Sequence, residues 1–156
     1  FILELSKLQD QVPPFSSQMA IQIIEKELDK SISELFSEFN EIPLASASIA
    51  QVHEAKFWNG REVVIKVLRP NVEAIIKQDI DLLYSFAKLL NRYWSQAKAV
   101  HPIEIVKEFE RNILSELDLM CEAGNASQLR HNFKDSKSLF IPEVFWDYTS
   151  KNVLVI

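Results

Sequence analysis

The stretch from Pro43 to Leu68 constrains the fold more than any other part of the chain, because it contains the pattern of a β-hairpin. The pair Asn59-Gly60 lies between two apolar runs. Asn-Gly in that setting is the strongest short-range hairpin signal, since both residues tolerate positive φ. We therefore predict a short strand, a loop of small residues, a second strand, a tight turn at Asn59-Gly60 and a third strand that ends at Leu68.

The third strand carries one residue that does not suit an apolar environment. In the run EVVIKVL, Lys66 is the lone cation among mostly β-branched residues. An ammonium group there is costly unless an anion meets it. Two interpretations are open: Lys66 contacts an anionic ligand, or it extends its head past the edge of the sheet.

Composition excludes several classes of function. The 156 residues, 47% hydrophobic and 25% charged, fit one compact domain or one lobe of a larger protein. A net charge of −5 argues against a nucleic-acid partner, which requires a basic stripe. With Cys121 as the only cysteine and three histidines without ligand spacing, we predict neither a disulfide framework nor a metal site.

No apolar run approaches the ~18 residues that span a bilayer, so we expect the chain itself to be soluble and any membrane attachment to come from other segments. The run Phe1-Ile2-Leu3 starts without a methionine, and residues 152–156 end within a predicted strand. We therefore expect the chain to be a fragment of a longer protein.

Helices precede the hairpin. Apolar periodicity predicts a helix from Ile2 to Asp10 and a second one capped by Ser16 or Ser17. A capping-box pattern at Ser31–Glu34 opens a short helix that is expected to end near Asn40.

Two long helices follow the hairpin, and two strands end the chain. A helix begins after Asn71, and its predicted core stripe consists of Val72, Ile76, Leu83, Phe86, Leu90 and Tyr93. Another helix begins at Pro102 and continues to Phe133 with a bend near Gly124. The predicted final strands are Phe140–Tyr148 and Asn152–Ile156.

Five strands with a lysine on the third resemble the nucleotide-binding lobe of a protein kinase. Such a lobe needs a tight loop near phosphates, a strand lysine and a helix glutamate. In place of a glycine-rich loop the chain has Ala45-Ser46-Ala47-Ser48, which restricts φ and makes the loop stiffer. The hydroxyls of Ser46 and Ser48 would add donors, but a strand edge built of small residues explains the same pattern.

The glutamate is expected on the helix that follows Pro102. By 3.6-residue arithmetic, an apolar stripe holds Leu114, Leu117, Cys121 and Gly124, and an adjoining polar stripe holds Asp118, Glu122 and Asn125. If the helix is buried along the apolar stripe, Glu122 lies at the margin of the sheet, within reach of Lys66. Glu116 then points to a separate side of the helix. Acidic helices on a protein surface produce the same pattern.

Three segments in this order and spacing, LASASIAQVH, REVVIKVLRP and ELDLMCEAGNASQL, resemble the UbiB family of atypical kinases, which serve ubiquinone biosynthesis. The preceding ELSKLQDQVPPF is also similar to that family. The resemblance covers essentially the whole chain. It implies an α+β fold: a protein-kinase-like N-lobe with an antiparallel sheet of about five strands and extra N-terminal and inserted helices.

The resemblance also implies roles for single residues. The family's alanine-rich loop over the nucleotide falls on Ala45, Ser46, Ala47 and Ser48, and Ser46 departs from the usual alanine. Lys66 matches the strand lysine that contacts the nucleotide phosphates. The effect of Ser46 on nucleotide preference is left open.

Three acidic residues match the family's helix motifs. Glu122 matches the glutamate that pairs with the strand lysine. Glu116 and Asp118 match the regulatory E-x-D motif, whose glutamate faces a lysine of a K-x-G-Q helix that is missing from this chain. The implied domains are a helical extension over 1–40 and the N-lobe over 41–156, with a helical insertion at about 71–100 and no C-lobe.

The implied cofactors are ATP or ADP, with Mg²⁺ held by catalytic residues outside the chain, so the chain alone is expected to be inactive. The implied partners are quinone-biosynthesis proteins and isoprenoid lipid, at the cytoplasmic side of the bacterial inner membrane or its mitochondrial equivalent. Two alternatives stay open. One is a non-catalytic nucleotide-sensing or lipid-handling scaffold of kinase-like shape, and the other is an unrelated α+β interaction domain.

Overall fold

The computed structural model describes residues 13–93, 100–136 and 138–156. Its elements, in chain order, are α1 (Ser17–Leu28), α2 (Ile32–Leu35), β1 (Glu38–Phe39), β2 (Ala45–Ser46), β3 (Ala50–Lys56), β4 (Glu62–Leu68), α3 (Val72–Tyr93), α4 (Pro102–Glu116), α5 (Leu119–Asn132), a 3-10 turn (Trp146–Tyr148) and β5 (Val153–Val155). The chain divides into two compact units, one formed by 1–70 with 118–156 and the other by 71–117. The predicted helix Ile2–Asp10 lies outside the described residues.

The first unit contains an antiparallel sheet in which β1 and β2 both pair with the same edge of β3, followed by β4 and β5. β3 and β4 form the long hairpin that the sequence predicts, with Lys56 opposite Glu62 at its closed end. Side chains alternate between the two faces of each strand. One face carries the hydrophobic core, and the other carries Lys66.

The core lies between the sheet and the N-terminal helices. Ile24 of α1 is fully buried against Ile65 and Val67 of β4 and the two valines of β5. At the start of α1, the Ser16 hydroxyl accepts a hydrogen bond from the Met19 N–H, which confirms the predicted cap. This helix therefore closes one face of the sheet and leaves the opposite face for a site.

The hairpin turn differs in detail from the prediction. Among the described turn residues only Gly60 has a positive φ, of 84°. The Gly60 N–H donates to the Phe57 carbonyl, and the Phe57 N–H donates to the Arg61 carbonyl. This is a type I turn followed by a residue in the left-handed region, so the prediction of positive φ at both Asn59 and Gly60 is wrong.

Five strands are present, but the set differs from the predicted one. The short helix ends at Leu35 rather than near Asn40, and Glu38–Phe39 pairs with β3 as an edge strand. The predicted strand Phe140–Tyr148 is wrong: residues 140–145 form no strand, and a 3-10 turn follows them. Pro142 lacks an N–H for a sheet ladder, which explains why this segment fails to pair along its length.

The second unit consists of α3 and α4, which are linked by a 2.6 Å hydrogen bond from the Tyr84 hydroxyl to the Glu110 carboxylate. α3 begins after Asn71, and α4 begins at Pro102, as predicted. The predicted core stripe of α3 is wrong in part, since its buried residues are Ile80 and Ala87. Leu83, Phe86 and Tyr93 of the predicted stripe are exposed instead.

Candidate functional site

The face of the sheet opposite the core carries Lys66 at its centre. Lys66 on β4 pairs with Val52 on β3 and with Leu154 on β5, and Val64 lies one step along the same face. The side chains of Val52, Val64 and Lys66 are half-buried, whereas Leu154 is fully buried. The result is a partly exposed apolar surface that carries one ammonium group.

Lys66 meets the carboxylate that the sequence analysis assigns to it. Its Nζ lies 2.6 Å from Oε2 of Glu122, although the two residues are 56 positions apart. The Lys66 side chain is 28% exposed and the Glu122 side chain 47% exposed. The pair is therefore partly hydrated, and a ligand can approach it from solvent.

The start of α5 determines where Glu122 lies. The Asp118 carboxylate caps the helix by accepting a 3.0 Å hydrogen bond from the Met120 N–H. The Leu119 N–H donates to the carbonyl of Lys151, just before β5, and Leu119 is completely buried. Glu122 lies in the first turn, where the helix dipole favours a negative charge.

The predicted continuous helix from Pro102 to Phe133 is wrong, because the helix breaks at Leu117 and Asp118. The apolar stripe through Cys121 and Gly124 is wrong as well, since both residues are exposed. The buried positions of α5 are Leu119 and Ala123, four residues apart. Glu122 therefore reaches Lys66 because of a new helix start rather than because of the stripe.

The two acidic residues of the E-x-D motif lie in different settings. Glu116 is the exposed last residue of α4, in the second unit, and Asp118 is the half-buried cap of α5, in the first unit. Asp118 thus has a structural task independent of regulation. The regulatory role of the pair stays a prediction.

The loop of small residues lies between β2 and β3. Ala45 and Ser46 form β2, and a turn follows in which the Ala47 N–H donates to the Ala50 carbonyl at 2.8 Å. Ser48 is exposed. The Ser46 oxygen accepts a 2.9 Å hydrogen bond from Nη2 of Arg69, so this hydroxyl is engaged within the protein.

Arg69, directly after β4, contacts the small-residue loop and was not singled out by the sequence motifs. Its side chain contacts the small-residue loop at two points and the carbonyl of Pro13 at a third. An arginine directly after an apolar strand, three positions beyond Lys66, is a weak sequence signal. The side chain of Arg69 contacts residues that are distant in the chain, and no local sequence pattern shows such contacts.

Two polar residues of β3 face the core rather than the candidate site. His53 and Gln51 are both fully buried. His53 Nδ1 lies 2.8 Å from the Asn40 carbonyl and therefore carries the proton, so Nε2 accepts from the Gln51 amide. This arrangement is structural, as expected for a histidine without ligand spacing.

A family model described as the ABC1 atypical kinase-like domain matches residues 7–156. The chain belongs to this family. The family predicted from the loop, strand and helix motifs is therefore confirmed.

Several relatives share this sequence closely. The chain is 55% identical over 152 residues to a protein of Marinobacter nauticus named "Probable protein kinase UbiB". It is 49% identical over 153 residues to the protein of that name in Pseudomonas paraeruginosa. These alignments cover 97% and 98% of this chain but 28% and 29% of the relatives, so the chain spans less than a third of their length.

A solved structure, described as the complex of Rv3197 with erythromycin from Mycobacterium tuberculosis, has a similar fold. The TM-score is 0.78 at 26% sequence identity, and the match covers 92% of this chain and 35% of that one. The predicted class, a kinase-like α+β lobe with a five-stranded antiparallel sheet and additional helices, is confirmed.

Two features are absent from the described residues, a membrane-spanning helix and a group of metal-ligating side chains. None of the described helices combines the length and the apolar character needed to cross a membrane. Within the same parts of the chain, no three His, Cys, Asp or Glu side chains are grouped to hold a metal ion.

Proposed function

We propose that this chain is the ATP-binding lobe of an atypical kinase or ATPase of the UbiB type, which supports ubiquinone biosynthesis. Lys66 binds the α- and β-phosphates, Glu122 orients Lys66, and the loop Ala45–Ser48 lines the phosphates. The contact between Lys66 and Glu122 carries this proposal, because a strand lysine held by a helix glutamate is what a kinase-type phosphate site requires.

The residues around Lys66 fit a nucleotide. The half-buried Val52 and Val64 offer an apolar surface beside the ammonium group, on the same face of the sheet. In the loop, the N–H groups of Ser48 and Ile49 have no acceptor among the described residues. A cation, free backbone donors and an apolar surface suit the three parts of a nucleotide: phosphate charge, phosphate oxygens and base.

The phosphoryl donor, the metal ion, the partners and the location concern the whole protein. Bound ATP would supply the phosphoryl group, and residues outside this chain would hold Mg²⁺. Quinone-biosynthesis proteins and isoprenoid lipid are the proposed partners, at the cytoplasmic face of a bacterial inner membrane or its mitochondrial equivalent. The relatives' shared name supports the kinase assignment and the link to ubiquinone.

The experiment compares ATP and ADP affinities of the complete protein, with and without Mg²⁺, for the wild type and Lys66→Ala. We expect a loss of about 10-fold to 100-fold, the size of one or two charged hydrogen bonds. Lys56→Ala is a matched control, because Lys56 lies on the same face of the hairpin, four residues from Val52 on β3. We expect the control variant to bind both nucleotides like the wild type.

Equal affinity in wild type and Lys66→Ala would refute the proposed phosphate role. Normal nucleotide binding without hydrolysis or phosphoryl transfer under any condition would favour the scaffold alternative. A Glu116→Gln variant tests the regulatory motif in the same assay, since releasing the K-x-G-Q helix from Glu116 should raise nucleotide affinity. Unchanged affinity would refute that role alone.

A further inference from the structure

The Arg69 side chain links the end of β4 to two other segments of the first unit. Its Nε donates to the Ala47 carbonyl at 2.9 Å, and its Nη2 donates to the Pro13 carbonyl at 3.0 Å and to Ser46 Oγ at 2.9 Å. The guanidinium also lies 5.7 Å from the centre of the Phe15 ring. Arg69 is half-buried and belongs to the chain that continues directly from β4.

The backbone of Arg69 adds a third contact to the small-residue loop. Its N–H donates to the Ile49 carbonyl at 2.9 Å. Side chain and backbone together thus engage two carbonyls and one hydroxyl of the segment Ser46–Ile49. A loop without glycine has few backbone conformations, and these bonds select one of them.

The bond to the Ala47 carbonyl determines the direction of a neighbouring donor. In a trans peptide unit the C=O and the following N–H point in opposite directions, and the described chain contains no cis peptide. With its carbonyl held by Arg69, the peptide between Ala47 and Ser48 directs the Ser48 N–H away from the guanidinium. That N–H has no acceptor among the residues the structure describes.

We propose that Arg69 is a positioning residue: it fixes the Ala47–Ser48 peptide so that the Ser48 N–H is a ready donor for a nucleotide phosphate. This inference rests on the proposed nucleotide function and deepens it. It also assigns a task to Ser46, the departure from the family's usual alanine. The Ser46 hydroxyl gives the guanidinium an additional acceptor and so tightens its hold on the loop.

The test uses the complete protein and two measurements. The first is ADP and ATP affinity, and the second is amide hydrogen exchange of the segment 45–50 without nucleotide. We expect Arg69→Gln to weaken ADP binding by about tenfold and to accelerate exchange in the loop. We expect Ser46→Ala, which removes one of three side-chain acceptors, to cause a smaller loss of about threefold.

Two further variants separate positioning from charge and from general stability. Arg69→Lys keeps the charge but not the planar fork of donors, so we expect it to bind ADP no better than Arg69→Gln. Arg61→Gln breaks a 2.7 Å ion pair with Glu143 near the closed end of the same hairpin. We expect it to lower the melting temperature and leave ADP affinity unchanged.

Wild-type ADP affinity and exchange in Arg69→Gln would overturn the inference, and so would full recovery of affinity in Arg69→Lys. These outcomes leave the proposed function intact if wild type binds nucleotide and Lys66→Ala does not. Failure of the wild type to bind either nucleotide would instead refute the proposed function, and with it the phosphate role of the Ser48 N–H.

Discussion

The pair Lys66 and Glu122 is expected to contribute little to stability, although it is central to the proposed site. Two unit charges at the observed 2.6 Å attract by about 1.6 kcal/mol in a water-like dielectric. Ordering a long lysine side chain offsets much of that gain. With exposures of 28% and 47%, we expect a net coupling of about 0.5 kcal/mol, within the range of exposed ion pairs.

The measurement is a double-mutant cycle with Lys66→Met and Glu122→Gln, using urea unfolding followed by tryptophan fluorescence. The coupling should diminish further in 1 M salt, where exposed charges are screened. The ion pair between Lys56 and Glu38 is a control, since it is longer, at 3.9 Å, and its carboxylate is 74% exposed. Its coupling should be smaller than that of the first pair.

A coupling above about 2 kcal/mol would refute this reasoning, because it would require a pair shielded from water. A coupling of zero at low salt would contradict the expected value of about 0.5 kcal/mol and would mean that the contact adds nothing to stability. A weak pair has a functional consequence: Lys66 can shift its ammonium group toward a phosphate at small cost in stability while Glu122 still orients it. This is what a lysine that binds and releases nucleotide requires.

Three other substitutions test the fold around the site. Burial raises the pKa of Glu27, but hydrogen bonds from Ser150 and Asn152 lower it more, to below the ordinary 4.5. Glu27→Gln should therefore destabilise the protein by about 1 kcal/mol near neutral pH, and by less as acid protonates the native carboxylate. Gly124→Ala should stabilise α5 by about 0.5–1 kcal/mol, since the added methyl group meets no atom within 4 Å. Gly60→Ala should cost about 1 kcal/mol, because φ there is +84°.

Urea unfolding curves of the wild type and Glu27→Gln at two pH values test the first of these predictions. A depressed native pKa gives stability that is complete above the unfolded-state pKa and is lost as pH falls through the native value. Glu41→Gln is a suitable control, because the Glu41 side chain is exposed to solvent. A pH-independent effect of Glu27→Gln would contradict the assignment. A lower melting temperature in Gly124→Ala would contradict the prediction for α5. A higher melting temperature in Gly60→Ala would contradict the prediction for the hairpin turn.

Features with a local cause could be predicted from the sequence. The cap at Ser16, the hairpin around Gly60 and the strand that carries Lys66 depend on residues within a few positions of one another. Glu38–Phe39 was not predicted as a strand, because its only reason to be extended is pairing with β3, some seventeen residues later. The two residues alone contain no strand pattern.

Competing patterns caused the other errors. Because Leu117 and Leu119 continue the apolar periodicity, the sequence pattern did not show that Asp118 caps the start of a new helix. α3 carries apolar residues on two faces, so periodicity could not tell that Ile80 is buried and Phe86 exposed. In both cases the observed structure depends on which face of the helix packs against another part of the protein.

Three features can be read from the sequence, and they identified the family: the lone strand cation, the glycine-free loop and the glutamate 56 residues beyond the lysine. Two contacts became visible in the folded chain: a helix start capped by Asp118 brings that glutamate to Lys66, and Arg69 holds the loop. The difference lies in how far apart along the chain the interacting residues are. Propensities and turns act between neighbours in the chain, whereas these ionic and hydrogen-bonded contacts form only after the sheet has brought distant segments within about 3 Å.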